Sequence, residues 1–488
     1  MQLLSTLLKD IQVIRIQGPD CLEVSDITAD SRAVNEGSIF VAVCGTAIDG
    51  HRYIPSALEH GAAVVVCQHI PADAADTVTW VKVPDTSVAL GQLASAWYGH
   101  PSRLLSVVGV TGTNGKTTIA TLLYRAMMSR DIKAGLLSTV TNRVADTEYP
   151  ADHTTPDPLE INRLMALMVE AGCQYCFMEV SSHGMAQNRV AGLYFKGGIF
   201  TNLTRDHLDY HKTFKAYLEA KKRFFDLLPE DAWAIINIDD PNGKVMVQNT
   251  RARVLTYSLR TLADFHCRPV EIALSGMTLN INDVELVTRL TGRFNAYNLT
   301  AVYGALVSLG MKPEDAACSV SSLPAVCGRF ETVTAPDGLS VIIDYAHTPD
   351  ALANVLDTIL AVRPDTHITT VAGAGGNRDH GKRPVMAAEA ARRSARLFIT
   401  SDNPRDENPE DIANDMIAGV PENTDCQIIV NLDRAAAIAA AIATAPPDGV
   451  VLVAGKGHET YQIFAGGRVD HFDDHEQVAL ALKQRAEL

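Results

Sequence analysis

The chain has 488 residues, 47% of them hydrophobic and 20% charged, with a formal net charge of −15. That mix excludes a disordered chain and a membrane-embedded one, and the length predicts about three domains of roughly 150 residues each. The negative balance excludes broad, sequence-independent nucleic-acid binding, because a phosphate backbone would be repelled, yet it leaves room for local basic sites that hold a small anion.

In chain order, MQLLSTLLKDIQV has no basic n-region and meets Lys9 and Asp10 before an apolar core can form, so it does not read as a signal peptide and the expected compartment is the cytoplasm. Strand-like runs SIFVAV, AAVVVC and TWVKV, with helix candidates YIPSALEHG and VALGQLASAWYG, predict a small α/β domain over 1–98. His100-Pro101 breaks the pattern. LLSVVGV then opens into a glycine-rich turn and the helix TTIATLLYRAMMS, and across 99–328 apolar runs FMEV, GGIFTNL and AWAIINID alternate with helical stretches. Such spacing predicts βαβ units around a mostly parallel sheet buried on both faces. After CGRFE the alternation restarts, which predicts a Rossmann-like module over 329–488 without a G-x-G-x-x-G at its first strand–helix turn. AAAIAAAIATA (435–445) is too short to cross a bilayer of ~30 Å and reads as a packed helix. The expected fold class is therefore α/β in three domains. Of nine cysteines only Cys173 and Cys176 form a C-x-x-C pair, and with no second pair to complete a zinc site they read as structural thiols.

VTGTNGKTT (110–118) follows a strand and precedes a helix, the setting of a phosphate-binding loop. Gly112 and Gly115 let the backbone wrap an anion. Thr113, Asn114 and Thr118 offer N–H groups near the helix N-terminus, Lys116 supplies a charge, and Thr117 suits Mg²⁺. Val110 stands where the general G-x-x-x-x-G-K-[ST] pattern has glycine, so the match is to the shorter G-T-N-G-K-T-T form. ATP or GTP binding follows; a glycine-rich turn that binds nothing is the competing reading.

Other residues stay ambiguous by themselves. Glu179 ends the strand FMEV and is either a paired structural charge or a metal ligand. His207, in TRDHLDYH, could lie in a solvated loop. Lys221, in YLEAKKRFF, reads as an exposed base on an amphipathic helix. AGAGGNRDHGKRP (372–384), AGKGHE (454–459) and SDNPRDENP (401–409) each follow a strand of the third module. Arg378 there can fork onto a carboxylate and Glu459 can meet an ammonium, or all three are plain surface loops.

TGTNGKTT, EVSSHG, TNLTRDHLDYH, YLEAKKRFF, GRFNAYN, GRFE and DYAHTPD together resemble, in order, the motif series of the Mur ligases, ATP-dependent amino-acid adding enzymes of peptidoglycan precursor synthesis. The resemblance runs through all three domains. It implies a UDP-substrate domain, a central ATPase domain and a C-terminal domain that swings to close the site. It further implies phosphorylation of a substrate carboxylate by ATP and attack of an amine on the acyl phosphate.

Within the family, the likeness is to ligases acting on UDP-N-acetylmuramoyl-L-alanyl-D-glutamate. By resemblance, Lys116, Lys221, His207 and Glu179 are catalytic, and Thr117, Glu179, His207 and a carbamylated Lys221 hold Mg²⁺. Asn295, Asn298, Arg329 and Asp344 serve the nucleotide, although the two asparagines are also good caps and turn formers. Ser31, Thr46, Ala47, Ile48, Thr154, Thr155, Ser181, Gln187 and Arg189 meet the UDP-linked dipeptide; His153 departs from the asparagine expected beside the threonines. Ser31 could instead be a turn residue and Ser181 a buried strand-end hydroxyl. Arg378, Asp402, Asn403, Pro404, Arg405, Gly455 and Glu459 receive meso-diaminopimelate.

The D-N-P-R pattern accompanies that substrate in the family, whereas lysine-adding relatives carry other residues. The chemistry agrees: diaminopimelate adds a carboxylate and an ammonium, and lysine would leave Arg405 unpaired. Asp406-Glu407-Asn408-Pro409 is expected only to start the next helix. A monomer is expected. Rival readings are a lysine-adding ligase, a folylpolyglutamate-synthetase-like ligase and a P-loop switch without ligation chemistry.

Overall fold

The computed structural model describes residues 1–45 and 48–487, so Thr46 and Ala47 lie outside the described residues. Near the N-terminus, β1 (Arg15–Gln17), β2 (Ile27–Thr28), β3 (Ile39–Val41), β4 (Val64–Cys67) and β5 (Thr79–Lys82) form a sheet in the order β1-β5-β4-β3-β2. Successive strand residues point to opposite faces, and both faces are buried. Ile39, Val41, Val64 and Val66 pack with Leu90 and Leu93 of α1 (Thr86–Trp97), while Phe40, Val65 and Trp80 pack with Ile54 and Ala57. The Asp85 carboxylate caps α1 by accepting from Ser87 N at 2.8 Å and Val88 N at 3.2 Å.

The central sheet is built from β6 (Ser106–Thr111), β7 (Ala134–Leu137), β8 (Asn142–Val144), β9 (Thr147–Tyr149), β10 (Tyr175–Glu179), β11 (Gly197–Phe200), β12 (Trp233–Asn237), β13 (Arg253–Ser258), β14 (Phe265–Ala273), β15 (Gly276–Ile281) and β16 (Val284–Thr288). Their order is β9-β8-β7-β10-β6-β11-β12-β13-β14-β15-β16. From β7 to β14 neighbours run parallel, as the buried apolar runs predict. The antiparallel extension β14–β16 departs from the simple strand–helix alternation expected across 99–328. β15 alternates buried and half-buried residues along TLNI, the period-2 pattern of a sheet with one open face. Helices α2 (Lys116–Met128), α3 (Phe214–Asp226) and α4 (Arg293–Ser308) pack on this sheet.

The third sheet, β17 (Glu331–Thr334), β18 (Ser340–Asp344), β19 (Ile368–Ala372), β20 (Arg396–Ile399), β21 (Gln427–Val430) and β22 (Val450–Ala454), has the order β17-β18-β22-β19-β20-β21 and is parallel except for the β17–β18 edge. Helices α5 (Pro349–Val362), α6 (Arg434–Thr444) and α7 (Asp474–Ala486) pack against it, and the alanine-rich run is α6. A fully buried pair, Arg434 Nη2 to Asp474 Oδ2 at 2.7 Å, joins α6 to α7. In the central sheet the loops after β6, β10 and β11 leave neighbouring carboxyl ends; in the third sheet those after β18, β22, β19 and β20 do the same. These two sets of loops face each other across the site.

Candidate active site

The phosphate-loop backbone is possible only because of its glycines. Gly112 has φ 148° and Gly115 φ 90°, and a Cβ at Gly112 would collide with Thr201 Oγ1. The loop is braced by the stretch after β11: Thr201 Oγ1 donates to Asn114 O at 2.6 Å, and Asn202 Oδ1 accepts from Asn114 N at 3.0 Å. Thr113 N donates to Asn202 O at 2.9 Å. Lys116 Nζ donates to Gly112 O at 3.0 Å and Thr113 O at 2.9 Å.

Lys221 comes from α3 onto the same carbonyl, with Nζ donating to Gly112 O at 2.7 Å. It is 1% exposed, which corrects the exposed-base reading. Burial first, and the neighbouring Lys116 cation second, push its amine well below the ordinary lysine value, against the pull of Asp206. Lys116 is likewise pushed down by burial, opposed by Glu179 and Asp206. The two amines share one uncharged acceptor, so a neutral Lys221 resolves their repulsion. A neutral amine is also the form that can take up carbon dioxide.

Glu179 is 1% exposed. Its Oε1 accepts from Thr139 N at 2.8 Å and Thr139 Oγ1 at 3.1 Å, whereas Oε2 is buried with no hydrogen-bond partner among the described residues. His207 adopts φ 55° after Asp206 and packs edge-on to His183, ring centroids 4.8 Å apart. Burial pushes the His207 imidazole down, with His183, Lys221 and Lys116 adding to burial and Asp206 opposing it. A neutral imidazole and an orphaned carboxylate oxygen are suitable donors for a hard divalent ion. Thr117 Oγ1 accepts from Arg329 Nη2 at 3.3 Å.

Thr154 and Thr155 stand beside this group. Thr139 Oγ1 and Thr154 Oγ1 are hydrogen-bonded at 3.0 Å, with Thr154 the donor when the Thr139 proton points at Glu179, and Thr155 Oγ1 donates to Glu179 O at 2.9 Å. Ser181 is the N-cap of a short helix, its Oγ accepting from Gly184 N at 3.0 Å. Arg189 Nη2 is bonded to Gln187 Oε1 at 2.7 Å and Nη1 to Thr155 O at 2.7 Å. Gln187 and Arg189 line a further cavity of about 350 Å³ with Cys44, Gly45 and His153. Ser31 is buried in the turn Ser31–Ala33, and Ile48 is exposed; neither lines the cavities of the site.

A cavity of about 340 Å³ lies between Asn114, Gly115 and Asn298 on one side and Tyr345, Asp350 and Asn354 on the other. Asn298 and Asn295 sit inside α4, not at its cap: Asn298 Nδ2 donates to Asn295 Oδ1 at 3.0 Å, and Asn295 Nδ2 to Thr291 O at 2.8 Å. Arg329 stacks 4.3 Å over the Tyr345 ring. Asp344 is buried and accepts from Phe330 N and Ala346 N, each at 2.7 Å. Burial raises its carboxyl pKa, while Arg329 lowers it.

The larger chamber, about 540 Å³, has Lys116, His207 and Lys221 on its central-sheet wall and Arg405, Glu459 and Lys382 on the opposite wall. Asp402 and Asn403 are buried. Asn403 is held by the protein on three sides: its Oδ1 accepts from Lys456 Nζ at 3.1 Å and Ile463 N at 3.0 Å, and its Nδ2 donates one of its two hydrogens to Glu459 Oε2 at 2.9 Å. It therefore braces the loop. Pro404 is also buried. Arg405, at φ 53°, donates through Nη1 to Gly376 O at 2.9 Å. Gly455 has φ 120° and a Cβ there would lie 2.8 Å from Asp402 Oδ2. Arg378 is exposed at the chamber rim. Burial and Asp402 raise the Glu459 carboxyl pKa, and Lys456 opposes them.

Asn408 does cap the next helix, but Asp406 and Glu407 do more than start it. Asn377 Nδ2 donates to Asp406 Oδ2 at 3.0 Å, and Arg383 pairs with Glu407 at 2.8 Å.

Sequence reasoning passed over Asp206, which lies 3.5 Å from His207 Nε2, 4.0 Å from His347 Nε2 and 3.9 Å from Lys382 Nζ. It also passed over Lys456, fully buried in AGKGHE. Lysine immediately before a glycine in an otherwise apolar strand end was the signal available.

Family models match along the chain: "Mur ligase family, catalytic domain" at 23–98, "Mur ligase middle domain" at 110–306 and "Mur ligase, glutamate ligase domain" at 328–457. The chain is 52% identical to the UDP-N-acetylmuramoyl-L-alanyl-D-glutamate–2,6-diaminopimelate ligase of Bacteroides fragilis, over 97% of this chain and 98% of that one. It is 54% identical to the protein of the same name from Parabacteroides distasonis, with the same coverage. A solved structure bearing that name aligns over 100% of both chains with a TM-score of 0.70 and 30% identity. A MurF ligase from Thermotoga maritima in complex with ADP shares the fold at TM-score 0.61 and 19% identity, covering 95% of this chain and 98% of that one.

Proposed function

The chain belongs to the Mur ligase family, and from that premise we propose that it is the ATP-dependent ligase that adds meso-2,6-diaminopimelate to UDP-N-acetylmuramoyl-L-alanyl-D-glutamate. The observation that carries this reading is the single chamber holding Lys116 and Lys221 on one wall and Arg405 and Glu459 on the other. An activated carboxylate at the first wall is then within reach of an amine held at the second.

We assign 1–98 to the UDP-substrate, 99–328 to ATP and 329–488 to the incoming amino acid. A glutamyl carboxylate oxygen attacks the terminal phosphorus of ATP and ADP leaves; the diaminopimelate amine then attacks the acyl carbon, phosphate leaves and the nitrogen loses a proton. Lys116 and the loop N–H groups neutralise phosphoryl charge, since phosphoryl transfer depends chiefly on positioning and electrostatics. Arg329 and Asn298 face the nucleotide cavity, Arg329 arriving from the third domain.

Thr117, Glu179, His207 and Lys221 as its carbamate would hold Mg²⁺, which when bound supplies charge neutralisation at the phosphoryl oxygens. The orphaned Glu179 Oε2 and the depressed His207 support that fit. Arg189, with Thr154, Thr155 and Ser181 nearby, orients the acidic dipeptide. Arg405 meets the distal carboxylate of diaminopimelate and Glu459 an ammonium, with Asn403 and Lys456 fixing Glu459. We place the reaction in the cytoplasm, by a monomer.

The test supplies the purified protein with ATP, Mg²⁺ and the UDP-dipeptide, and offers meso-diaminopimelate, L-lysine or L-ornithine in turn. Phosphate release should require both the dipeptide and diaminopimelate. Release without either would point to a P-loop switch, and equal use of lysine would overturn the role given to Arg405.

A further inference from the structure

Outside the chamber, the segment linking the second and third sheets carries a second cluster of ligating atoms. Cys327 lies in that linker and is exposed; Glu331 opens β17; His475 lies in the first turn of α7. Cys327 Sγ, a Glu331 carboxylate oxygen and a His475 ring nitrogen all lie within 4.8 Å of one another. His475 Nε2 is 2.9 Å from Glu331 Oε2, and on the far side of the ring Nδ1 is 3.0 Å from Asp473 Oδ1.

We propose that Cys327, Glu331 and His475 form a binding site for a thiophilic divalent cation of the zinc class, its fourth position open to solvent. Zinc takes one sulfur, one imidazole and one carboxylate at bond lengths of roughly 2.0–2.3 Å, which places ligand atoms roughly 3.3–3.8 Å apart. Small side-chain rotations reach that from the observed spacing. Asp473 orients the imidazole as a carboxylate orients a zinc-bound histidine, leaving Nε2 for the metal. The sulfur ligand selects against Mg²⁺, which keeps this site separate in kind from the phosphate-loop centre.

Its place in the fold gives occupancy a consequence. Gly328, next to Cys327, has φ 64° and its carbonyl accepts from Tyr345 N at 2.9 Å; Arg329 follows and reaches Thr117. A metal bridging Cys327 to His475 fastens the linker to the third domain beside the residue that contacts the phosphate loop.

Co²⁺ titrated into the reduced full-length protein, with excess Mg²⁺ present, tests the site. The expected result is a sulfur-to-metal charge-transfer band with intense tetrahedral visible bands, saturating at one equivalent and abolished by Zn²⁺. C327S should lose the sulfur band, E331Q should weaken binding at least tenfold, and C318S, altering another exposed cysteine, should change nothing; melting curves check that each variant is folded. Absence of the band in the unmodified protein, or its persistence in folded C327S, overturns the proposal.

Discussion

Replacing Arg405 with Met removes the guanidinium from the chamber while keeping an unbranched side chain of similar length. Inside the protein the change is small: one good hydrogen bond, Nη1 to Gly376 O at 2.9 Å, and one long one, Nη1 to Asn403 O at 3.5 Å, disappear, about 1 kcal/mol in all. Methionine tolerates φ 53° no better than arginine does, so the backbone strain is common to both. Toward substrate the change is large. Two charge-assisted bonds to the distal carboxylate are worth ~1.5–3 kcal/mol each, and that carboxylate is left unpaired in a half-buried setting. The net loss of ~3–5 kcal/mol is roughly two to three and a half powers of ten in kcat/KM for diaminopimelate. Lysine has no such carboxylate to lose, and kcat/KM for lysine should stay within about tenfold. Steady-state phosphate release with each amino acid, beside a melting curve, reads both quantities. An equal fall for diaminopimelate and lysine, or no fall for diaminopimelate, would refute the assignment.

Lys221→Ala should lower turnover by at least about a thousandfold, with partial rescue by a short carboxylate; full activity in this variant would sink the carbamate. Gly112→Ala should raise the ATP concentration needed for half-saturation by at least about tenfold, because its Cβ meets Thr201 and φ 148° excludes it; nucleotide binding by calorimetry is the check. Lys456→Met should destabilise the protein by ~3–5 kcal/mol, since Asp402 and Glu459 lose their buried cation, and urea unfolding reads this directly. His347 and His458 are pushed down, chiefly by burial, to about 4 and about 3 from an ordinary 6.5. The unfolded chain therefore takes up protons first: stability should be unaffected above about pH 6.5 and fall on acidification toward pH 4, by up to ~1.4 kcal/mol per pH unit per histidine. A flat profile between pH 7.5 and 5 would contradict that burial.

What the sequence disclosed was local. A strand, a glycine turn and a helix are contiguous, so the loop at 112–118 was readable, as was the alternation behind three α/β sheets. SDNPRDENP was placed at a strand end, although its composition could not distinguish Asn403, whose amide is bonded by the protein at three points, from Arg405, which keeps nitrogens free for a ligand. The Asp206, His347 and Lys382 cluster was invisible because its members come from two sheets and meet only when the third domain packs over the second. Lys221 looked exposed because its helix is amphipathic by count; the structure turns it onto the buried face with Tyr217 and Phe224. The β14–β16 extension was readable from the alternation in TLNI and was missed by expecting βαβ units throughout.

The joint between the second and third domains combines an aromatic contact, Phe294 against Phe330 with ring centroids 5.9 Å apart, with polar contacts: His347 and Lys382 on Asp206, Arg329 on Thr117, Asn114 Nδ2 on Asp350 Oδ2 at 3.1 Å, and Arg205 on Asp379 at 3.2 Å. Such contacts contribute roughly 0.5–1.5 kcal/mol apiece, and the exposed ion pair less. A seam this rich in polar contacts can part on each catalytic cycle and let a bulky, charged product escape. Ionic strength then becomes a throttle on turnover: added salt loosens the seam, speeding departure while shortening the time the chamber stays sealed.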